Sequence, residues 1–193
     1  MILTGISKGK SVTVVAAAVV FSMIHVISMA DWRTIDAILT EAFGSETARQ
    51  CREYYGELEI PDEQAGTLQE AVKLIVEAGY PEGCPREYLK LAADLSKAGI
   101  GLGDLTNKIR EGIAKQVDPA RLIHVLKRRA EALKEGRVLT LQLEQESVRF
   151  LDRQMAYTVF ADYLLRGVKG GELTAAVKDG RMEKYPALDN VIR

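Results

Sequence analysis

Glycines fall along this chain about one short helix apart, and the segments between them place apolar residues at helical rather than strand spacing. Asp31 to Phe43 carries Trp32, Ile35, Ile38, Leu39 and Phe43, and Gly44 follows. Ser45 opens a second short helix that ends near Gly56. Glu57 to Gly66 contains Pro61 and reads as a loop. The run from Thr67 to Glu70 has the form of a capping box, with the Thr oxygen accepting an orphan amide and the Glu reaching back. The helix it opens continues through Leu68, Ala71, Val72, Ile75 and Val76, and Gly79 stops it.

A phrase then recurs, in which an apolar residue is followed five positions on by leucine. It joins Ile100 to Leu105, Val117 to Leu122 and Val168 to Leu173, with Asp104, Arg121 and Glu172 just before each leucine. If the first apolar residue is N′, the leucine is N4, and the pair forms a hydrophobic staple across the start of a helix. Asp118 as N-cap with Pro119 at N1 is the best-formed case. Gly99 and Gly167 stop the preceding helices, and the Tyr80 to Pro85 loop is a longer variant after Gly79.

Farther on, residues 119–135 form a helix with Leu122, Ile123, Leu126, Ala130 and Leu133 on its face, ended or bent at Gly136. A longer helix is expected from Thr140 to Arg166, with a stripe of Leu141, Val148, Leu151, Met155 and Val159. A short helix over 170–179 and an irregular tail over 180–193 complete the chain. Strand signals are absent. The expected fold class is all-α: an array of short antiparallel helices, an irregular bundle or α-solenoid-like, with no sheet.

The N-terminus has a different pattern. Lys8 and Lys10 are the only charges before Asp31. An apolar run from Val12 to Ile27 follows, interrupted by Thr13, Ser22 and His25, and then Ser28, Met29 and Ala30. A basic stretch, an apolar core and a small-x-small site make a secretory signal, with cleavage expected after Ala30. The competing reading is an uncleaved anchor, although the run is shorter than the roughly 20 residues of a spanning helix. Residues 31–193 then form a single soluble helical domain, with 31–66 as an N-terminal subregion, and the address is periplasmic or secreted.

Loss of Lys8 and Lys10 tips a chain with 26 basic and 27 acidic residues further toward acidic. A mixed surface of this kind gives no electrostatic reason to expect nucleic acid. In an exported protein, two cysteines suggest a disulfide. A Cys51–Cys84 bridge would stabilise the fold by about 3–4 kcal/mol in the chain-entropy account. Two Cys and one remaining His, without CxxC or HxxxH spacing, do not make a zinc site.

No catalytic motif stands out. His124 has no sequence-near acid or nucleophile, and there is no nucleophile elbow. Glu144 and Glu146 belong to a polar helix face. Gly99, Gly101 and Gly103 lack the preceding strand of a dinucleotide loop. Lys127, Arg128 and Arg129 are a basic cluster that reads as a solvated face or as a patch for an anionic partner. Tyr54, Tyr55, Tyr157 and Tyr163 read as core or boundary residues. No catalytic residue, cofactor or metal is assigned. The expected function is a non-catalytic interaction or scaffold module of the cell envelope, binding a protein, peptide or envelope polymer. The alternative is an envelope hydrolase using a buried carboxylate pair.

Overall fold

A computed structural model of the chain describes residues 32–55 and 62–192. The expected signal, its cleavage after Ala30 and residues 57–61 of the Pro61 loop lie outside the described residues. Within them the protein is all-α, with no strand; one isolated antiparallel bridge joins Phe150 to Ile192. The helices are α1 (32–43), α2 (Ser45–Tyr55), α3 (Asp62–Glu77), α4 (Gly83–Lys97), α5 (Gly103–Ala114), α6 (Pro119–Gln145), α7 (Arg153–Leu165), α8 (Gly170–Lys178) and α9 (Pro186–Asp189). A 3-10 turn, Met182–Lys184, precedes α9. No helix among the described residues is long and apolar enough to cross a membrane.

The recurring apolar residue has a firmer physical origin than a staple. After α3, the Gly79 amide donates to the Val76 carbonyl at 2.9 Å, and the Tyr80 amide to Ile75 at 3.3 Å. Gly79 sits at φ +69. This is a Schellman stop, in which a left-handed residue turns the chain back and satisfies two orphan carbonyls. Ile100, Val117 and Val168 take the same place after α4, α5 and α7, donating to Leu95, Gly112 and Tyr163. Each recurring residue therefore closes the helix behind it, which fixes where the next can start. Asp118 then caps α6 as expected, accepting from the Ala120 and Arg121 amides, with Pro119 at N1. At Ile100 the staple register slips, because α5 starts only at Gly103 with Leu102 at the N-cap.

Several expectations fail in the fold. The helix placed at Thr67 begins at Asp62, because the apolar face continues back through Ala65; Leu68, Val72 and Ile75 are fully buried on the same face. Glu70 bonds Arg110 of α5 rather than capping its own helix. Gly136 does not end the helix: α6 runs through it to Gln145. A Cβ there would meet the Tyr157 carbonyl oxygen at 2.6 Å and Phe160 Cβ at 3.1 Å, so its missing side chain lets α7 lie close against α6. The expected single helix from Thr140 to Arg166 is instead broken over 146–152. The break is another Schellman stop, with Ser147 at φ +71 in the glycine's place and Val148 donating to Leu143. Asp152 restarts the chain by capping Gln154 and Met155. The predicted stripe is consequently wrong: Leu151 and Met155 are exposed, while Leu139, Leu143, Ala156 and Phe160 are buried.

Packing is organised around α6, which touches α4, α5, α7 and α8. Earlier helices reach the next but one, α2 to α4 and α3 to α5. The buried side chains fall into two clusters. The larger draws on α1 to α5, the first half of α6, and Tyr157 and Ala161 of α7. The smaller joins Leu139 and Leu143 of α6 to α7, α8 and the C-terminal segment. That segment, expected to be irregular, forms the 3-10 turn and α9; Leu188 and Val191 are fully buried, and the Leu151 amide donates to Val191.

Candidate functional site

Arg129 lies at the meeting point of three helices. Its side chain projects from α6 and is 4% exposed. It grips Asp104 at the N-terminus of α5 in a two-pronged contact, Nε to Oδ1 at 2.6 Å and Nη2 to Oδ2 at 2.7 Å. Its Nη1 bonds Asp162 of α7 at 2.5 Å. Burial works against the charged guanidinium, but the two carboxylates outweigh it and raise its pKa above the ordinary value. The paired fork geometry belongs to arginine, since a lysine ammonium offers no planar fork.

Arg129 and Asp162 of this tie line a cleft of about 660 Å³ between α5, α6 and the end of α7. Gly112 of α5 and Leu122 of α6 line its floor, so close that a Cβ on Gly112 would meet Leu122 Cδ1 at 2.7 Å. Val117, Val125 and Leu165 add apolar surface, and Val125 is 41% exposed. The lining carries six cations, Lys108, Lys115, Arg121, Arg128, Arg129 and Arg166, against two carboxylates, Glu111 and Asp162. Such an excess is local, because the whole chain has a net charge of −1.

The cations divide by commitment. Lys108 and Lys115 both bond Glu111, at 2.8 and 2.5 Å. Those bonds, with Lys108 first, hold the Glu111 carboxyl down at about 2. Arg129 is spent on the helix tie. Arg121 and Arg128 make no ion pair among the described residues, nor does Arg166, which stacks over the Tyr163 ring at 5.7 Å. Arg121, Val125 and Arg128 fall on one face of α6, four and then three residues apart. That alternation of cation, aliphatic and cation was the sequence signal for the cleft, hidden among the commoner charges of a helix surface.

The structure does not keep the basic cluster together. Lys127 turns away to pair with Glu87 of α4 at 2.6 Å, Arg129 is buried, and Arg128 alone faces the cleft as an uncommitted charge. Consecutive residues on a helix point about 100° apart, so a run of three cannot form a patch. His124 is exposed and lines an adjoining hollow of about 380 Å³ with Lys127 and Glu131, which shares Arg128 and Leu165 with the cleft. Glu144 and Glu146 are engaged by Arg153 and Lys178. Tyr157 and Tyr163 are buried in the two core clusters.

The expected disulfide is not formed: Cys51 and Cys84 are buried free thiols. Charged neighbours surround both: Arg86, Glu82 and Asp36 act on Cys51, and Asp118 on Cys84. Burial pushes the Cys51 thiol up to about 11 and raises Cys84 as well, so both pack as small apolar groups. Among the described residues no three His, Cys, Asp or Glu side chains converge as metal ligands would. Comparison of the chain with protein-family models, curated proteins and solved structures gave no match.

Proposed function

We propose that this chain is an exported interaction module of the cell envelope, non-catalytic, which docks an anionic protein segment in the cleft between α5, α6 and α7. The observation that carries the reading is the trio Arg121, Arg128 and Arg166, without ion-pair partners among the described residues and set around the exposed Val125. Uncommitted guanidinium groups beside apolar surface favour carboxylate-bearing partners, and arginine is enriched where interfaces bind tightly. The export half of the proposal rests on the three-part N-terminal pattern over residues 1–30.

The hydrolase alternative needs an acid held protonated near neutral pH. The carboxylates displaced from their ordinary range, Glu46, Glu87 and Glu111, are displaced downward by neighbouring cations. Asp104 and Asp162 are joined through Arg129 and so act as its counter-ions.

The test is retention of envelope proteins on the immobilised full chain, compared with an Arg121→Glu/Arg128→Glu variant. A partner whose bound segment is acidic, and whose retention falls with charge reversal and with added salt, is the expected result. Equal retention by both forms, or capture of a polysaccharide in place of a protein, would overturn the binding reading. For the address, the mass of the exported protein should begin at Asp31; a full-length mass would overturn cleavage and leave an anchor.

A further inference from the structure

We infer that the partner element is an acidic amphipathic helix, with two carboxylates seven residues apart and an aliphatic residue between them. This rests on the anionic-partner reading above and specifies its occupant. Arg121 and Arg128 are two turns apart on one face of α6, about 10 Å along its axis, with Val125 midway. The exposed Val125 lies between charges, so the complementary surface must be apolar in the middle and negative at both ends.

That pattern separates the candidate occupants. A fatty acid has one charged end and would leave the second arginine unmatched. A uniformly charged polymer would set charge against Val125 and desolvate it there. An extended peptide covers about 10 Å in roughly three residues, and positions three apart on a strand point to opposite faces. A helix places residues i, i+3 or i+4, and i+7 on one face at the same spacing as α6. Laid along the groove, it would meet Arg166 and Leu165 on the far wall.

The experiment uses the full chain and a fluorescein-labelled 16-residue helical peptide, read by anisotropy. The peptide carries two Glu seven positions apart with Leu midway. It is expected to bind at least about ten-fold more tightly than a scrambled peptide of the same composition. Arg121→Glu, Arg128→Glu and Val125→Asp, all at exposed positions, should each weaken it by about ten-fold or more, whereas Lys90→Glu on α4 should leave it unchanged. Circular dichroism of each variant establishes that the fold is retained. Equal affinity for patterned and scrambled peptides overturns the helix pattern while leaving the anionic cleft standing. Polyglutamate, an oligonucleotide or anionic vesicles binding as tightly as the patterned peptide would overturn it too. If no anion responds to reversal of Arg121 and Arg128, this inference and the proposed function fall together.

Discussion

Without the Arg129 guanidinium, Asp104 would be left mostly buried and facing Asp162, with no counter-charge. An orphaned buried charge is penalised far more than the pair is rewarded. Arg129→Met should therefore destabilise the protein by about 3 kcal/mol in urea unfolding, at the low end for a broken buried pair because Asp162 is half exposed. Asp162→Asn should lose only about 1 kcal/mol; equal losses from the two substitutions would mean that Arg129 is not the tie between α5 and α7. Glu111 supplies a pH-dependent contact. Its folded pKa, about 2, lies below the unfolded value, so its contribution is complete above that value and disappears as pH falls toward 2. The group is exposed, so the measurement is its own titration: the Glu111 carboxyl carbon should show an NMR midpoint near 2, and a midpoint near 4 would remove the Lys108–Glu111–Lys115 cluster from the cleft wall. The Lys108–Glu111–Lys115 spacing is local to α5 and readable from the sequence, whereas Asp104, Arg129 and Asp162 meet only once three helices converge.

Helix ends were legible where a glycine or an Asp–Pro start marked them, as after α5, where Gln116 turns the chain at φ +52 ahead of Asp118 and Pro119, and illegible where neither did. Gly44, Gly79, Gly99 and Gly167 all take positive φ at a helix end, as expected. Ser147 performs the same turn with a side chain, and so the break between α6 and α7 went unread. An L-residue in this conformation is strained by roughly 1 kcal/mol relative to glycine. Ser147→Gly should thus raise stability by about 1 kcal/mol, and a loss would show that the Ser side chain is doing something the turn alone does not require. Gly136 misled in the other direction. Two substitutions separate helix propensity from packing. Gly66 lies inside α3 with nothing within 4 Å of an added Cβ, so Gly66→Ala should stabilise by about 1 kcal/mol. Gly136→Ala gains the same propensity but drives a methyl into the Tyr157 carbonyl, and should destabilise by about 1–3 kcal/mol. The same sign for both in denaturant unfolding would refute the close approach of α6 and α7.

Two buried clusters invite the idea of two folding units, but α6 and α7 contribute to both. A continuous helix couples them, since neither can lose its share of α6 without exposing the other's buried face. Leu188 of α9 lies in the smaller cluster, and Trp32 of α1 packs on the larger. Leu188→Ala should cost about 2–5 kcal/mol and lower the unfolding midpoint equally by far-UV dichroism and by Trp32 fluorescence. If the Trp32 midpoint stays where it is while the dichroism shifts, the clusters unfold separately. At this level the candidate site is also defined. Arg121, Val125 and Arg128 were readable as a helix face, but Arg166 joins them only through the packing of α7 against α6.

The all-helical class, most helix stops and the Asp118 cap follow from local chemistry, since a positive φ, a capping oxygen or an apolar spacing acts within a few residues. Which charges are buried, which are engaged and which remain open to a partner depends on side chains brought together from distant helices. Arg128 and Arg129 are neighbours of the same type, but Arg129 holds three helices together while Arg128 faces solvent in the cleft. The difference is one helical step of about 100°, and only the packing of α5 and α7 against α6 gives that angle its meaning.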